Sequence, residues 1–371
     1  MHHVLGQDLA TEHLMAALRA DRVHHACLFA GPVGVGKFTM ALALAKLLLC
    51  PNTAIDPGGH PAACGSCRSC ELFDRESHPD LHVVRKELAS VSSVTELRRR
   101  KQMNIPIDLL REHVVGGTTN DGKYHEPAAS KTPLLNHQKV FIIDEAELLA
   151  ENGQSALLKT LEEPPSGTFF ILVAARQERL LPTVRSRCQR VAFVPLPEPV
   201  ICRWLAEHAG HLDQQQRQWI AAFAEGSLGQ AELAVTYELH LWARTVQPAI
   251  EQMKAGKLDW TLGRQMAAMI NEFASEWVSR HPGASKEAAN KRAVGMMWSL
   301  IAHDARRRIH EMAAGCATAD PQQADQLFGP WLEVMDALSE AKQKIDSNVN
   351  IGLVCDHLVL ALDRSLCPSG C

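Results

Sequence analysis

Apolar residues follow two regimes along this chain. Up to about residue 195, short and fully apolar runs alternate with segments of helical spacing, and beyond it only the helical spacing continues. Ala26-Cys-Leu-Phe-Ala30 predicts a strand, preceded by an amphipathic helix over 8–20 and followed by an alanine- and leucine-rich helix over 37–49. Asp80-Leu-His-Val-Val84, Val140-Phe-Ile-Ile-Asp144, Phe169-Phe-Ile-Leu-Val-Ala174 and Arg190-Val-Ala-Phe-Val194 predict further strands. Strands apolar on both faces and separated by helices belong in a parallel sheet covered on both sides. Between the second and third runs, Gly116-Gly-Thr-Thr-Asn-Asp-Gly-Lys and the Pro127 to Asn136 segment are rich in turn formers, which predicts an exposed, mobile insertion. Pro195-Leu-Pro-Glu-Pro199 ends the strand pattern and marks the best domain boundary.

Composition narrows the function classes. With 46% hydrophobic residues in 371, the chain has material for two or three cores. A formal charge of -4 provides no global field for nucleic acid, so any DNA contact must come from local patches or partners. The 11 cysteines are too sparse for a disulfide scaffold, which fits a reducing cytosol. The start of the chain lacks a signal-peptide pattern, and no apolar run reaches the ~18 residues of a membrane span. A cytoplasmic protein without membrane contact is expected.

Gly31-Pro-Val-Gly34-Val-Gly36-Lys37 sits between a strand and a helix and matches the phosphate-loop pattern. Such glycines let backbone N–H groups wrap phosphates while the lysine adds a charge at the helix N-terminus. The pattern then asks for a hydroxyl to hold magnesium. Phe38 occupies that place, and Thr39, one residue late, aims elsewhere at about 100° per helical residue. Asp144 and Glu145, closing an apolar strand, form the companion acidic pair that can reach a metal and polarise water. ATP with magnesium is therefore a candidate cofactor, weakened by the missing hydroxyl.

Cys64-Gly-Ser-Cys67-Arg-Ser-Cys70 places three sulfurs in one tight turn, and Cys50 at the end of the preceding helix can close a tetrahedral shell. Four thiolates leave no open position, so a zinc ion here is structural. Pro51, Pro57, Gly58 and Gly59 let the connection fold back. His60 and His78 compete for the fourth position, and buried free thiols or a redox dithiol are the non-metal alternatives. Cys27, on the apolar strand, reads as core.

Four further strings are specific: Leu157-Leu-Lys-Thr-Leu-Glu-Glu-Pro-Pro165, Leu181-Pro-Thr-Val-Arg-Ser186-Arg187-Cys188, His78-Pro-Asp80 and Asn348-Val-Asn-Ile-Gly-Leu353. With the phosphate loop and the cysteines, they resemble the clamp-loader ATPases of bacterial DNA polymerase III, most closely over residues 1–240. The resemblance implies an α/β AAA+ nucleotide-binding domain over 1–196 with a parallel sheet and a zinc module at 50–70. A helical lid over 197–238 and an all-α collar over 239–371 follow. It implies a hetero-pentameric ring with gamma/tau and delta subunits, acting on the sliding clamp and on primed DNA. It also implies that Arg187 is a trans arginine finger, a guanidinium offered to the γ-phosphate at a neighbour's site.

Departures from the family matter equally. Motor subunits end the fourth strand in a polar γ-phosphate sensor, where this chain has Ala174-Ala175, and they carry a lid arginine where this chain has Gly226-Ser-Leu-Gly229-Gln230. Together with Phe38, three contributions of roughly one to a few kcal/mol each to the hydrolysis barrier are missing. The resemblance then implies a non-hydrolysing stator. The alternatives are an active motor subunit, favoured by Lys37, Asp144 and Glu145, and a zinc-dependent nucleic-acid module on an ATPase scaffold. Nothing in the chain supplies polymerase chemistry, so that activity belongs to the holoenzyme. Arg98-Arg-Arg-Lys101 and Arg306-Arg-Arg308 are the dense basic runs and read as solvated helix faces, Arg68 and Arg75 hint at a polyanion, and the seven tryptophans read as core or interface anchors.

Overall fold

Five of the apolar runs pair into one parallel sheet in the computed structural model, which describes residues 4–56, 58–99, 104–135, 138–281, 285–315, 321–347 and 349–367. The strands are β1 (Ala26–Ala30), β2 (Leu81–Val84), β3 (Lys139–Ile143), β4 (Thr168–Ala174) and β5 (Gln189–Ala192), and they stand in the order β2-β3-β4-β1-β5. Ala26 lies opposite Phe170, and Val140 opposite Phe169. β1 and β3 are buried along their whole length, as the apolar runs Ala26–Ala30 and Val140–Ile143 demand, and β3 opens on one buried charge, Lys139. The helices of this region include α1 (Asp8–Arg19), α2 (Lys37–Leu49), α3 (Arg68–Asp74), α4 (Glu151–Glu162) and α5 (Glu198–His208). Leu28, Phe141, Phe170, Leu172 and Leu157 share one core with Leu109 and Leu110.

The 116–136 insertion is largely exposed, as its turn chemistry predicts, and it has regular structure of its own. It folds as a small antiparallel pair, Gly117–Thr118 with Tyr124–His125, followed by a turn at Ala128–Ser130, and it buries Thr119 and Ala129. Two charged side chains buried beneath it hold it in place. Asp80 accepts from the backbone N–H groups of Leu134 (2.7 Å) and Leu135 (2.9 Å). Lys139 donates to the carbonyls of Ala128 (2.9 Å) and Lys131 (2.8 Å). Burial pushes the Lys139 ammonium below the ordinary lysine range, opposed by the Asp80 charge. Polar turn chemistry predicts exposure, and Tyr124 and Leu134 are 65% and 77% exposed, while two long-range anchors tie the segment down from below. Asn136 lies outside the described residues.

The chain divides into two compact units, residues 1–210 with 224–230, and residues 211–223 with 231–371. The elements from residue 211 onward are helical: α6 (Gln214–Phe223), α7 (Leu228–Thr236), α8 (Leu239–Lys254), α9 (Leu262–Arg280), α10 (Lys286–Gly315), α11 (Pro321–Asp346) and α12 (Ile351–Leu366). In the second unit α9 packs on α10 and α12, and α11 packs on the same two helices. Trp242, Trp298 and Trp331 are buried there, while Trp260 stands out at 76% exposure. Arg307 and Arg308 both donate to the fully buried Asp304, at 2.8 Å in each case; Arg308 is largely buried and also pairs with Glu251, while Arg307 stays exposed and pairs with Glu311. Of the second basic run, Arg308 is thus structural, while Arg307 lies on the solvated face that the sequence predicts. Of the first run, Arg98 is exposed and donates to Thr95, while Arg100 and Lys101, like Asn348 of the C-terminal string, lie outside the described residues. Among the described residues no helix is long and apolar enough to cross a membrane.

Candidate functional site

The phosphate loop leaves the carboxyl end of β1, where parallel sheets present ligand crevices. Its start is fixed between both neighbouring strands: Gly31 N–H donates to Ala174 O at 3.3 Å, and Phe193 N–H donates to Ala30 O at 2.8 Å. A Cβ at Gly31 would fall 2.3 Å from the Phe193 carbonyl oxygen, so that position requires glycine. Gly34 (φ 75°) and Gly36 (φ 95°) adopt the left-handed backbone that turns N–H groups inward at the start of α2. Gln7, buried before α1, ties the structure behind the loop: its amide donates to Val35 O at 3.3 Å and Val194 O at 2.7 Å, and accepts from Val194 N at 3.1 Å. Gly229 N–H donates to Gly34 O at 2.9 Å, so 227–229 lies directly on the loop.

Lys37 is buried and folds over the loop, donating to the carbonyls of Gly31 (2.6 Å) and Pro32. Burial lowers its pKa, opposed by the charges of Glu147 and Asp144. Thr39 is exposed, one step round the helix. The Phe38 ring lies beneath the Arg85 guanidinium, 3.9 Å from its centre. Arg85, the first residue after β2, also approaches the acidic pair, with its Nε 3.4 Å from Asp144 Oδ2 and no hydrogen-bond partner. Lys86 pairs with Glu145, at 2.9 Å to Oε1 and 2.6 Å to Oε2. Burial pushes the Asp144 carboxyl up, opposed by Arg85 and reinforced by the Glu145 charge. Glu147 caps the end of β4 by accepting from Ala175 N at 3.0 Å. Each carboxylate of the strand-end pair therefore faces a protein cation. The sequence reading missed Arg85, Lys86 and Gln7, and a basic pair after a strand carries no local sign of the partner it will meet.

The second site is the thiol cluster. Cys50 ends α2 and Cys67 caps α3, accepting from Cys70 N at 3.4 Å, while Ala54–Ile55 and Pro61–Ala62 form a small ladder between them. Pro57 lies outside the described residues. The sulfurs of Cys50, Cys64, Cys67 and Cys70 all lie within 4.8 Å of one another. Cys50 stands 3.7 Å from Cys64 and 4.0 Å from Cys67, and Cys64 stands 4.0 Å from Cys70. Four thiolates at about 2.3 Å from one ion have S···S edges of about 3.8 Å, so the donor set fits a tetrahedral metal. Both competing histidines are engaged elsewhere: His78 with Ser69 Oγ at 2.8 Å, and His60 with Arg19. Ser69 also donates to Leu49 O at 2.7 Å, so His78 and Ser69 brace α3 against the end of α2. Cys27 is buried, with its thiol pushed up to about 12 by burial, as a core residue's is.

The third feature is Arg187, just after the helical turn Pro182–Arg185. Its guanidinium pairs with Glu162 at the end of α4 and donates to Thr183 O at 2.9 Å, leaving the side chain one-third exposed. His24, His25 and Ser186 line the hollow around it. The Leu-Glu-Glu-Pro-Pro and Ser-Arg-Cys strings thus meet in space, which their sequence separation did not announce.

The chain matches a family model described as DNA polymerase III, delta subunit, over residues 6–197. It is 35% identical over 366 residues to the delta-prime subunit of DNA polymerase III of Bacillus subtilis, covering 95% of this chain and 94% of that one. It is 35% identical over 195 residues to the Escherichia coli delta-prime subunit, covering 53% of this chain and 50% of that one. The gamma/tau subunit of Mycobacterium tuberculosis H37Rv is 34% identical over 194 residues, 52% of this chain and 28% of that one.

Proposed function

Because the chain belongs to the delta-prime subunit family of DNA polymerase III, we propose that it serves the clamp loader as a stator that does not hydrolyse ATP itself and completes a neighbour's site with Arg187. The observation that carries this reading is the contrast between the two edges of the nucleotide domain. At the chain's own site Phe38 replaces the hydroxyl, and Asp144 and Glu145 are each paired with a protein cation. The residues present do not fit magnesium. Arg187 stands at a different edge, one-third exposed and held by the half-exposed Glu162, a pairing that solvent weakens enough for an incoming phosphate to displace it.

In this reading residues 197–238 form the lid and 239–371 the collar of a hetero-pentameric ring with gamma/tau and delta subunits, which places the sliding clamp on primed DNA. Arg187 contributes charge where the neighbour's γ-phosphoryl group develops it. Cys50, Cys64, Cys67 and Cys70 hold a structural zinc ion, which cross-links the end of α2 to α3 and leaves no coordination position for chemistry.

The active-motor alternative makes a different prediction for the isolated chain. Steady-state ATP hydrolysis by the purified protein should be indistinguishable from that of its Lys37→Ala variant. A rate that the substitution abolishes would instead assign the chain to the motor class.

A further inference from the structure

The mismatch with magnesium has a definite structure of its own. A magnesium ion at a phosphate loop offsets phosphate charge and is held by a hydroxyl and a strand-end carboxylate. Here the hydroxyl position holds Phe38, whose ring carries the Arg85 guanidinium at 3.9 Å, and the carboxylate of Asp144 faces the same guanidinium at 3.4 Å. The Arg85 Nε is buried and makes no hydrogen bond. Lys86 balances Glu145 beside it. Asp144, Glu145, Arg85 and Lys86 sum to zero charge, so a divalent ion entering here meets carboxylates already neutralised and two cations that repel it.

The phosphate half of the site keeps its form. Gly34 and Gly36 retain the left-handed backbone, α2 starts directly behind them, and Lys37 covers the loop from inside, on carbonyls it can exchange for phosphate oxygens. We infer that Arg85 stands in for the metal, so that this loop takes a nucleoside triphosphate as the free anion, without a divalent cation. A guanidinium suits that role: it presents planar donors to phosphate oxygens, does not lose its proton, and brings no bound water that could be activated for hydrolysis. Phe38 is then the platform that holds Arg85 in place. Bound nucleotide would brace the stator without being consumed. The inference rests on the non-hydrolysing reading above.

The test is a titration of the full chain with a fluorescent ATP analogue, once in EDTA and once in excess magnesium. The dissociation constants should agree within about threefold in the two buffers. Arg85→Ala should weaken binding in EDTA by about tenfold or more, and Arg85→Lys should recover part of the loss. Phe38→Thr combined with Arg85→Ala should make binding magnesium-dependent, a change that mere loosening of the fold does not produce. Tightening of the wild type by magnesium of about tenfold or more overturns the inference. So does an absence of binding in both buffers, or an unchanged affinity in Arg85→Ala. Hydrolysis by the isolated chain would instead overturn the stator reading, so the two failures are distinguishable.

Discussion

Two places in the nucleotide domain carry the residue types of a metal site, and they have opposite fates. At the thiol cluster, four cysteine sulfurs lie within 4.8 Å of one another, three of the pairs at 3.7 to 4.0 Å, close to the spacing of a tetrahedral shell, and both nearby histidines are engaged elsewhere. At the strand end, Asp144 and Glu145 have the textual signature of a magnesium site, but Arg85 and Lys86 face them. Donor identity is the same kind of clue in both cases. What separates them is whether the donors are free to meet an ion, and that depends on residues remote in sequence.

The comparison breaks most visibly at the cysteines. Cys64→Ser with Cys67→Ser should abolish bound zinc, measured as one ion per chain in the parent by atomic emission. It should cost at least about 3 kcal/mol of stability, since structural zinc contributes on the order of 10 kcal/mol in small peptides. A parent with no zinc, or a variant as stable as the parent, would remove this half of the contrast. Asp144→Asn sharpens the other half with a smaller effect. It should leave metal content unchanged and lower stability by about 1 kcal/mol or less in denaturant unfolding, because the pair with Arg85 is partly exposed. A clear loss of bound magnesium in this variant would show that the carboxylate is a ligand after all.

Much of this was legible in the chain itself, for physical reasons. Each strand lies within two residues of its apolar run, and the match is closest for the central β1, β3 and β4, because a strand buried on both faces tolerates few other residue types. The phosphate loop and the thiol spacing are local, so one segment specifies them. The rest depends on partners far apart in sequence. Arg85 follows a strand like any surface arginine until the fold sets it on Phe38, and Glu162 looks like one more acid in a helix end until it meets Arg187. Asp80 and Lys139 each sit beside an apolar run, and only the folded insertion shows why a buried charge is tolerated there. Gln7, in an unremarked N-terminal segment, stitches the loop to the exit of β5.

Arg187 is where the stator reading is most exposed to test. The measurement is ATP hydrolysis by a reconstituted loader in which only the site adjoining this chain remains active, with and without Arg187→Ala. Glu162, at 46% exposure, is left solvated by that change, so the melting temperature should hold while hydrolysis at the adjoining site falls roughly 10³-fold. An unchanged rate in a folded, assembled loader would contradict the account.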